Sequence, residues 1–449
     1  MNFRKRSQRI IDNLPVIAQD ADKIDTIFSA TDFREHLIQL IDNATQRIYI
    51  VALYLQDDEA GREILTHLYE AKQKNPDLDI YVFVDWHRAQ RGLIGHKESE
   101  GNVSLYKAMA HKYQHQIHLL GVPIQTREVL GVLHLKGSII DDTVLYSGAS
   151  INNIYLHCGD KYRCDRYHSI QNHHLADSMV NLTQRYFLHS AAVNSLTQSQ
   201  RPQTKSIKFY IKQLRRQLTH AQYEFKPQIP TENQVGITPL IGVGSRHNRL
   251  NKSIKHLIAT SHSQLVIFTP YFNLPLNLKI EIKKALKRGV TVDIITGDKT
   301  ANDFYIPPTE PFKIIGALPY LYEVNLRNFS KINRNYIRTG KLNIHLWKNG
   351  NNSYHLKGVW VDKQFMLLTG NNLNPRAWSL DLENGMLIHD KHSLLQQQNE
   401  QEINHMLKNT RHISDYQQIE NMDDYPEETA KFLKRITRVK VDKLVNRIL

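Results

Sequence analysis

A β-type apolar run, Ile48 to Leu55 (IYIVALYL), is followed by a helical pattern from Ala60 to Lys74 and a second strand-like run, Leu78 to Asp85 (LDIYVFVD). The same order returns in the second half of the chain. There, Gln264 to Phe272 (QLVIFTPYF), a helical stretch around Leu276 to Arg288, and Val290 to Asp298 (VTVDIITGD) follow one another. Strand patterns alternating with helical ones predict an α/β protein with a largely parallel or mixed sheet flanked by helices. In each half a further block reads His-Leu-Lys-Gly, then a strand, then a small polar turn. The blocks are HLKGSIIDDTVLYSGASINN, from His134 to Asn153, and HLKGVWVDKQFMLLTGNNLN, from His355 to Asn374. Any two strand–helix–strand units share an apolar pattern, but not identical polar residues at the strand entrances. The chain is therefore read as an internal duplication.

The pattern divides the chain into a first half over 1–194, a connector over 195–235, a second half over 236–391, and a polar, helical, basic tail over 392–449. The connector is rich in Gln, Ser, Thr, Pro and basic residues, with one helix expected over Ile207 to Gln217. From Ala430 to Leu449, apolar Phe432, Leu433, Ile436, Val439 and Leu444 recur at helical spacing among lysines and arginines, which predicts a basic amphipathic helix.

Both blocks contain His-x-Lys-x-x-x-x-Asp: His134, Lys136 and Asp141, then His355, Lys357 and Asp362. Residues two apart on a strand point to the same face, so each His and Lys project into one space. Neutral imidazole can attack phosphorus and imidazolium can donate a proton. Lysine is a point charge for phosphate oxygens as negative charge gathers. The residues after each lysine are apolar and bury the strand, so Asp141 and Asp362 are expected to orient or support and not to react. One such match arises by chance in about one chain in ten; two at equivalent places of a repeat are far rarer.

Composition adds bounds. The chain has 449 residues, 41% hydrophobic and 23% charged, enough for two ordinary cores. Its formal charge of +14 favours anionic partners, and nucleic acid, an anionic membrane and phosphate substrates fit that sign equally. Two cysteines, Cys158 and Cys164, exclude a disulfide scaffold and suit a reducing compartment. With His157 and His168 they match no common zinc spacing, so no metal is expected. No stretch approaches the ~20 apolar residues that span a bilayer, and no apolar signal core follows the basic N-terminus. A membrane, if met, is expected to be met from the side.

The paired motifs resemble the phospholipase D superfamily, whose two repeats set their motifs face to face across a pseudo-two-fold axis. In place of that family's Gly-Ser-x-Asn-like turn this chain has SGASINN and TGNNLNPRA. Ser150 and Asn152, with Asn372 and Asn374, are the candidates there to contact phosphate. The segment RAWSLDLE, Arg376 to Glu383, is similar to one that delivers an acidic residue to a catalytic histidine in cardiolipin synthases. Glu383 is thus expected to support an imidazole, with Asp165 in KYRCDRYHSI its counterpart. A carboxylate on the far ring nitrogen would fix the tautomer and raise basicity. Over nearly the whole chain, stretches such as IVALYLQDDEAG, TREVLGVLHLKG, TPYFNLP, GDKTANDFYIP and EPFKIIGALPYLYEVNLR resemble the phosphatidylserine synthases of Gram-negative bacteria.

That resemblance implies CDP-diacylglycerol as donor, L-serine as acceptor, and phosphatidylserine and CMP as products, through a phosphatidyl-histidine and without a cofactor. By the family's order His134 is the nucleophile and His355 the general acid and base; the residues themselves fit the reverse equally. The lipid substrate implies a cytoplasmic protein docked on the inner face of the membrane. Docking is expected through the basic C-terminal helix on anionic lipid or through Asn302 to Leu326, each with plain packing on the enzyme body as the alternative. A cardiolipin synthase or phospholipase D would share the histidines and differ in acceptor. A superfamily nuclease is disfavoured, because the basic residues cluster at the C-terminus and are not interleaved with stacking aromatics near the motifs. No specific nucleic-acid partner is expected. A silent binding protein is disfavoured by the intact His and Lys of both halves.

Overall fold

The computed structural model describes residues 3–91 and 101–438. Its two large sheets repeat one strand order. In the first, Tyr167–Gln171, Thr143–Ser147, Gly137–Ile140, Arg47–Val51, Asp79–Asp85 and His118–Val122 lie side by side. In the second, Leu382–His389, Phe365–Thr369, Gly358–Val361, Gln264–Thr269, Thr291–Gly297 and Leu342–Trp347 follow the same sequence. The last three strands of each set are parallel and the others antiparallel. The fold is the expected α/β duplication.

Parallel neighbours require a crossover, and a helix supplies it in each half. The first, Glu59–Lys74, starts at Asp58, whose side chain accepts from Gly61 N. It buries Ala60, Ile64, Leu65, Leu68 and Tyr69, an apolar stripe of helical period against the sheet. Its counterpart, Leu276–Lys287, begins after Pro275 and buries Leu278, Ile282, Ala285 and Leu286. The motif strands are buried on both faces: Ile139 and Ile140 lie in the first core, while Val359 and Val361 pack in the second core and Trp360 packs with the first.

The halves are less separable than the sequence divisions suggest. Helix Phe3–Asp12 packs on helix Arg249–Thr260 of the second half, where Ser7 Oγ meets His256 Nδ1 at 2.9 Å. Strand Ile17–Asp20 pairs with Gln234–Val243 and closes an edge of the second sheet. Residues 3–12 thus pack on the second half, while Ile17 reaches the first core and Asn172 Nδ2 donates to Ala18 O. The stretch from 392 onward is likewise no appendage. Strand Thr410–Ile413 covers the other edge of that sheet, and helix Gln396–Leu407 buries Glu402 and Met406. Within the connector, helix Lys208–Leu218 inserts Ile211, Leu214 and Leu218 into the first core.

The two segments expected to meet lipid pack on each other. Helix Glu427–Arg438 buries Ala430 and Leu433 against Ala317, Tyr320, Leu321 and Tyr425. The apolar face of its described part thus lies on the enzyme body, because residues 314–326 offer it an aromatic surface. Val439 to Leu449 lie outside the described residues. Among the described residues no helix is long and apolar enough to cross a membrane.

Candidate active site

Two short parallel crossings bring the motif histidines to the seam between the halves. Ser353–Tyr354 runs beside Arg163–Cys164, and His355 N donates to Cys164 O at 2.8 Å. In the same sense Leu133 bridges Leu382, and His134 N donates to Leu382 O at 2.9 Å. Each crossing sets a histidine of one half beside the carboxylate that comes next in the other. Glu383 Oε2 lies 2.9 Å from His134 Nδ1, and Asp165 Oδ2 lies 2.9 Å from His355 Nδ1. A two-fold relation is thereby built from backbone pairing, and it leaves Nε2 of each ring clear of its carboxylate, with Tyr155 Oη and Lys357 Nζ beside Nε2 of His355.

The lysines complete the arrangement. Lys136 Nζ donates to Ser150 Oγ at 3.0 Å; Lys357 Nζ donates to Asp165 Oδ2 at 3.2 Å and touches His355 Nδ1. The glycine of each polar turn admits the lysine of the other half. A Cβ on Gly370 would stand 2.7 Å from Lys136 Cγ, and one on Gly148 would stand 2.8 Å from Lys357 Nζ. Exposure is 8% for His134, 5% for His355, 2% for Lys136 and 1% for Lys357.

Such burial sets the protonation states. Burial, then the charges of Lys136 and Lys357, hold the imidazole of His134 well below its ordinary range, so it is neutral, as attack on phosphorus requires. Burial and Lys357 do the same to His355. Burial, with Lys357 alongside, brings Lys136 down to about 7, and burial brings Lys357 down to about 8. Two ammonium groups held together out of water form a strong anion site.

The remaining sequence candidates separate. Ser150 stands in the site as the partner of Lys136. Asn152 and Asn374 turn their oxygens to backbone, Asn152 accepting from Tyr155 N at 3.0 Å and Asn374 from Ala377 N at 2.9 Å. Each oxygen caps a turn. Asn372 Oδ1 is buried without a hydrogen-bond partner. Asp141 and Asp362 lie beyond the far ends of their strands from the histidines, each at positive φ (49° and 56°). Asp141 accepts from the amides of Thr45, Gln46 and Arg47, and Asp362 from those of His262, Ser263 and Gln264. They pin the neighbouring strand and stand apart from the reacting groups.

Other residues emerge only from the fold. Asn384, next to Glu383, brackets Lys136, its Oδ1 accepting from Lys136 N at 2.9 Å and its Nδ2 donating to Lys136 O at 2.8 Å. Tyr155 Oη lies 3.1 and 3.2 Å from the two ring nitrogens of His355. Arg166, next to Asp165, forms a buried two-point ion pair with Glu402 at 2.7 and 2.9 Å and lies over the Trp360 ring. Among the described residues no group of three or more His, Cys, Asp or Glu could hold a metal ion.

Residues 37–156 and 254–407 match the family described as "Cardiolipin synthase, PLD-like domain". The chain is 49% identical to the CDP-diacylglycerol–serine O-phosphatidyltransferase of Haemophilus influenzae, with 100% of both chains covered. It is 48% identical to the enzyme of the same name from Escherichia coli, with 99% of both covered. The crystal structure of phosphatidylserine synthase from Haemophilus influenzae superimposes with a TM-score of 0.96 over 100% of both chains. This chain belongs to the phospholipase D-like family, among the CDP-diacylglycerol–serine O-phosphatidyltransferases.

Proposed function

We propose that this protein transfers the phosphatidyl group of CDP-diacylglycerol to L-serine through a phosphatidyl-histidine. The observation that carries the reading is the pair of buried imidazoles, each held at Nδ1 by a carboxylate from the opposite half. His134 Nε2 attacks the lipid-side phosphorus while His355, neutral in the free protein and protonated once the anionic diphosphate binds beside it, gives its Nε2 proton to the departing CMP oxygen. The P–O bond to CMP breaks as the P–N bond forms. His355, now neutral, takes the proton of the serine hydroxyl, whose oxygen displaces His134 from phosphorus. Lys136 and Lys357 hold the non-bridging oxygens in both steps. Glu383 and Asp165 keep the ring protons on Nδ1 and stabilise positive charge on each imidazole as it develops.

Serine must outcompete water, and imidazoles with so little exposure favour an acceptor that fits the site over bulk solvent. The donor is a lipid, so the protein docks peripherally. The basic surface of helix Glu427–Arg438, whose apolar side is already covered, supports electrostatic attachment to anionic lipid on the cytoplasmic face. The test uses purified protein in mixed micelles with CDP-diacylglycerol, with and without L-serine, beside His134→Ala and His355→Ala. Serine-dependent phosphatidylserine, lost in both variants, is expected. CMP release giving only phosphatidic acid would remove serine as acceptor.

A further inference from the structure

The two histidines are alike in their carboxylates and unlike in what lies beyond. The ribbon that delivers Asp165 carries Arg163 two residues earlier, and Ser353 stands opposite Arg163 as His355 stands near Asp165. Residues two apart share a face and are roughly 7 Å apart along a strand. That is the scale of a three-carbon amino acid with its hydrogen bonds. Arg163 Nη2 lies 2.8 Å from Asp303 Oδ1, its Nε donates to Ser353 Oγ at 3.2 Å, and its guanidinium covers the Tyr155 ring at 4.5 Å. One aromatic ring thus separates it from His355.

Asp303 is as buried as its partner, each with 13% of its side chain exposed. Its Oδ2 accepts from Tyr271 Oη at 2.7 Å. Its Oδ1, although at ion-pair distance from Arg163, has no aligned donor. Among the described residues no hydrogen bond engages Arg163 Nη1. Each member of the pair therefore keeps bonding capacity. Both line a cleft of about 580 Å³, with Tyr162, Asn302, Lys348 and Ser353 on its walls.

The other half lacks this arrangement. By the same ribbon register the residue two before Glu383 is Asp381, where the first half has Arg163. Asp381 accepts from Val132 N at 3.0 Å and pairs with Arg376 at 3.1 Å. The side of the site near His355 thus presents a cation and an anion that both open on the cleft, whereas on the His134 side Asp381 and Arg376 are committed to each other and to the backbone of Glu128, Val129 and Val132. A buried carboxylate disfavours a nucleotide phosphate at that point. A zwitterion carries both complementary groups.

We propose that Arg163 and Asp303 form the acceptor subsite, Arg163 taking the carboxylate and Asp303 the ammonium of L-serine, with the serine hydroxyl presented to His355. The inference rests on the reading above, that serine is the acceptor and His355 its base. It makes both residues determinants of specificity.

The test compares three acceptors with CDP-diacylglycerol in mixed micelles: L-serine, ethanolamine, which lacks the carboxylate, and 3-hydroxypropionate, which lacks the ammonium. For each, kcat/KM is measured on the wild-type protein, Arg163→Met and Asp303→Asn. The wild type is expected to prefer serine over both analogues. Arg163→Met should lose its preference over ethanolamine by about tenfold or more and keep that over 3-hydroxypropionate; Asp303→Asn should show the reverse. If all three acceptors fall in parallel in both variants, the pair only supports the fold and the proposal is wrong. Should Asp303→Asn not fold, Tyr271→Phe, which removes the bond holding Asp303 Oδ2, should weaken the same preference to a smaller degree. An unchanged ratio there would also overturn it. A wild type that makes no phosphatidylserine would instead overturn the underlying reading.

Discussion

Replacing Glu383 by glutamine keeps the shape of a side chain that is 0% exposed and removes its capacity to carry charge as His134 becomes cationic, burial having raised its own proton affinity well above the ordinary carboxylate range. Its Oε2 lies 2.9 Å from His134 Nδ1, and attack on phosphorus places a positive charge on that ring. With charge centres ~4 Å apart and an effective dielectric of ~20, the lost attraction is about 4 kcal/mol. At about 1.4 kcal/mol per tenfold, formation of the intermediate should slow by about 10³-fold. Glu383 Oε1 has no hydrogen-bond partner, so the amide loses little in the ground state and Tm should hold or rise. Single-turnover release of CMP, measured beside His134→Ala and with melting curves to confirm folding, reads the effect. A Glu383→Gln rate within tenfold of wild type would refute the assignment of this carboxylate to charge stabilisation at His134.

Four further outcomes follow from the same geometry. Neutral amines cannot hold phosphate, so kcat/KM for the lipid should fall as pH rises through about 7 to 8, where burial places Lys136 and Lys357 in the free protein. The sign for stability is opposite: the unfolded chain keeps those protons to about 10.5, so it binds more protons across that window and stability rises with pH there, which urea melts at several pH values would show. Asp362→Ala should lower stability by about 2–3 kcal/mol in urea melts through its three lost amide bonds, while the folded fraction keeps kcat within about tenfold. Gly370→Ala, whose Cβ would stand 2.7 Å from Lys136 Cγ, should displace the ammonium and cut kcat by about 10²-fold with Tm little changed, by activity assay and calorimetry on one preparation.

Most of the sheet framework was legible because strand and helix periods are local properties of the chain. The runs at 48–55 and 264–272 and the helix at 60–74 appear where their periodicity put them, within a few residues. Repetition of His-Leu-Lys-Gly exposed the site because two matches at equivalent places carry information that one does not. Asp165 and Glu383 were reachable through resemblance, but their cross-half delivery was not, since it depends on backbone pairing between segments far apart in sequence. The capping by Asn152 and Asn374 was not legible for a local reason: a polar residue in a turn is as fit to cap backbone as to bind a ligand. Arg163 and Asp303 carried no motif at all. Strand Thr410–Ile413 went unseen because four residues, two of them exposed, have too little apolar alternation to read as an edge.

The covalent histidine intermediate is tested most directly by mixing the protein with CDP-diacylglycerol alone, quenching in alkali, where phosphohistidine survives, and mapping the adduct by peptide mass spectrometry. A phosphatidyl group on the peptide containing His134, absent from His134→Ala and discharged by L-serine to phosphatidylserine, is the result expected. An unmodified chain whose CMP release occurs only together with serine consumption would show direct displacement and contradict it.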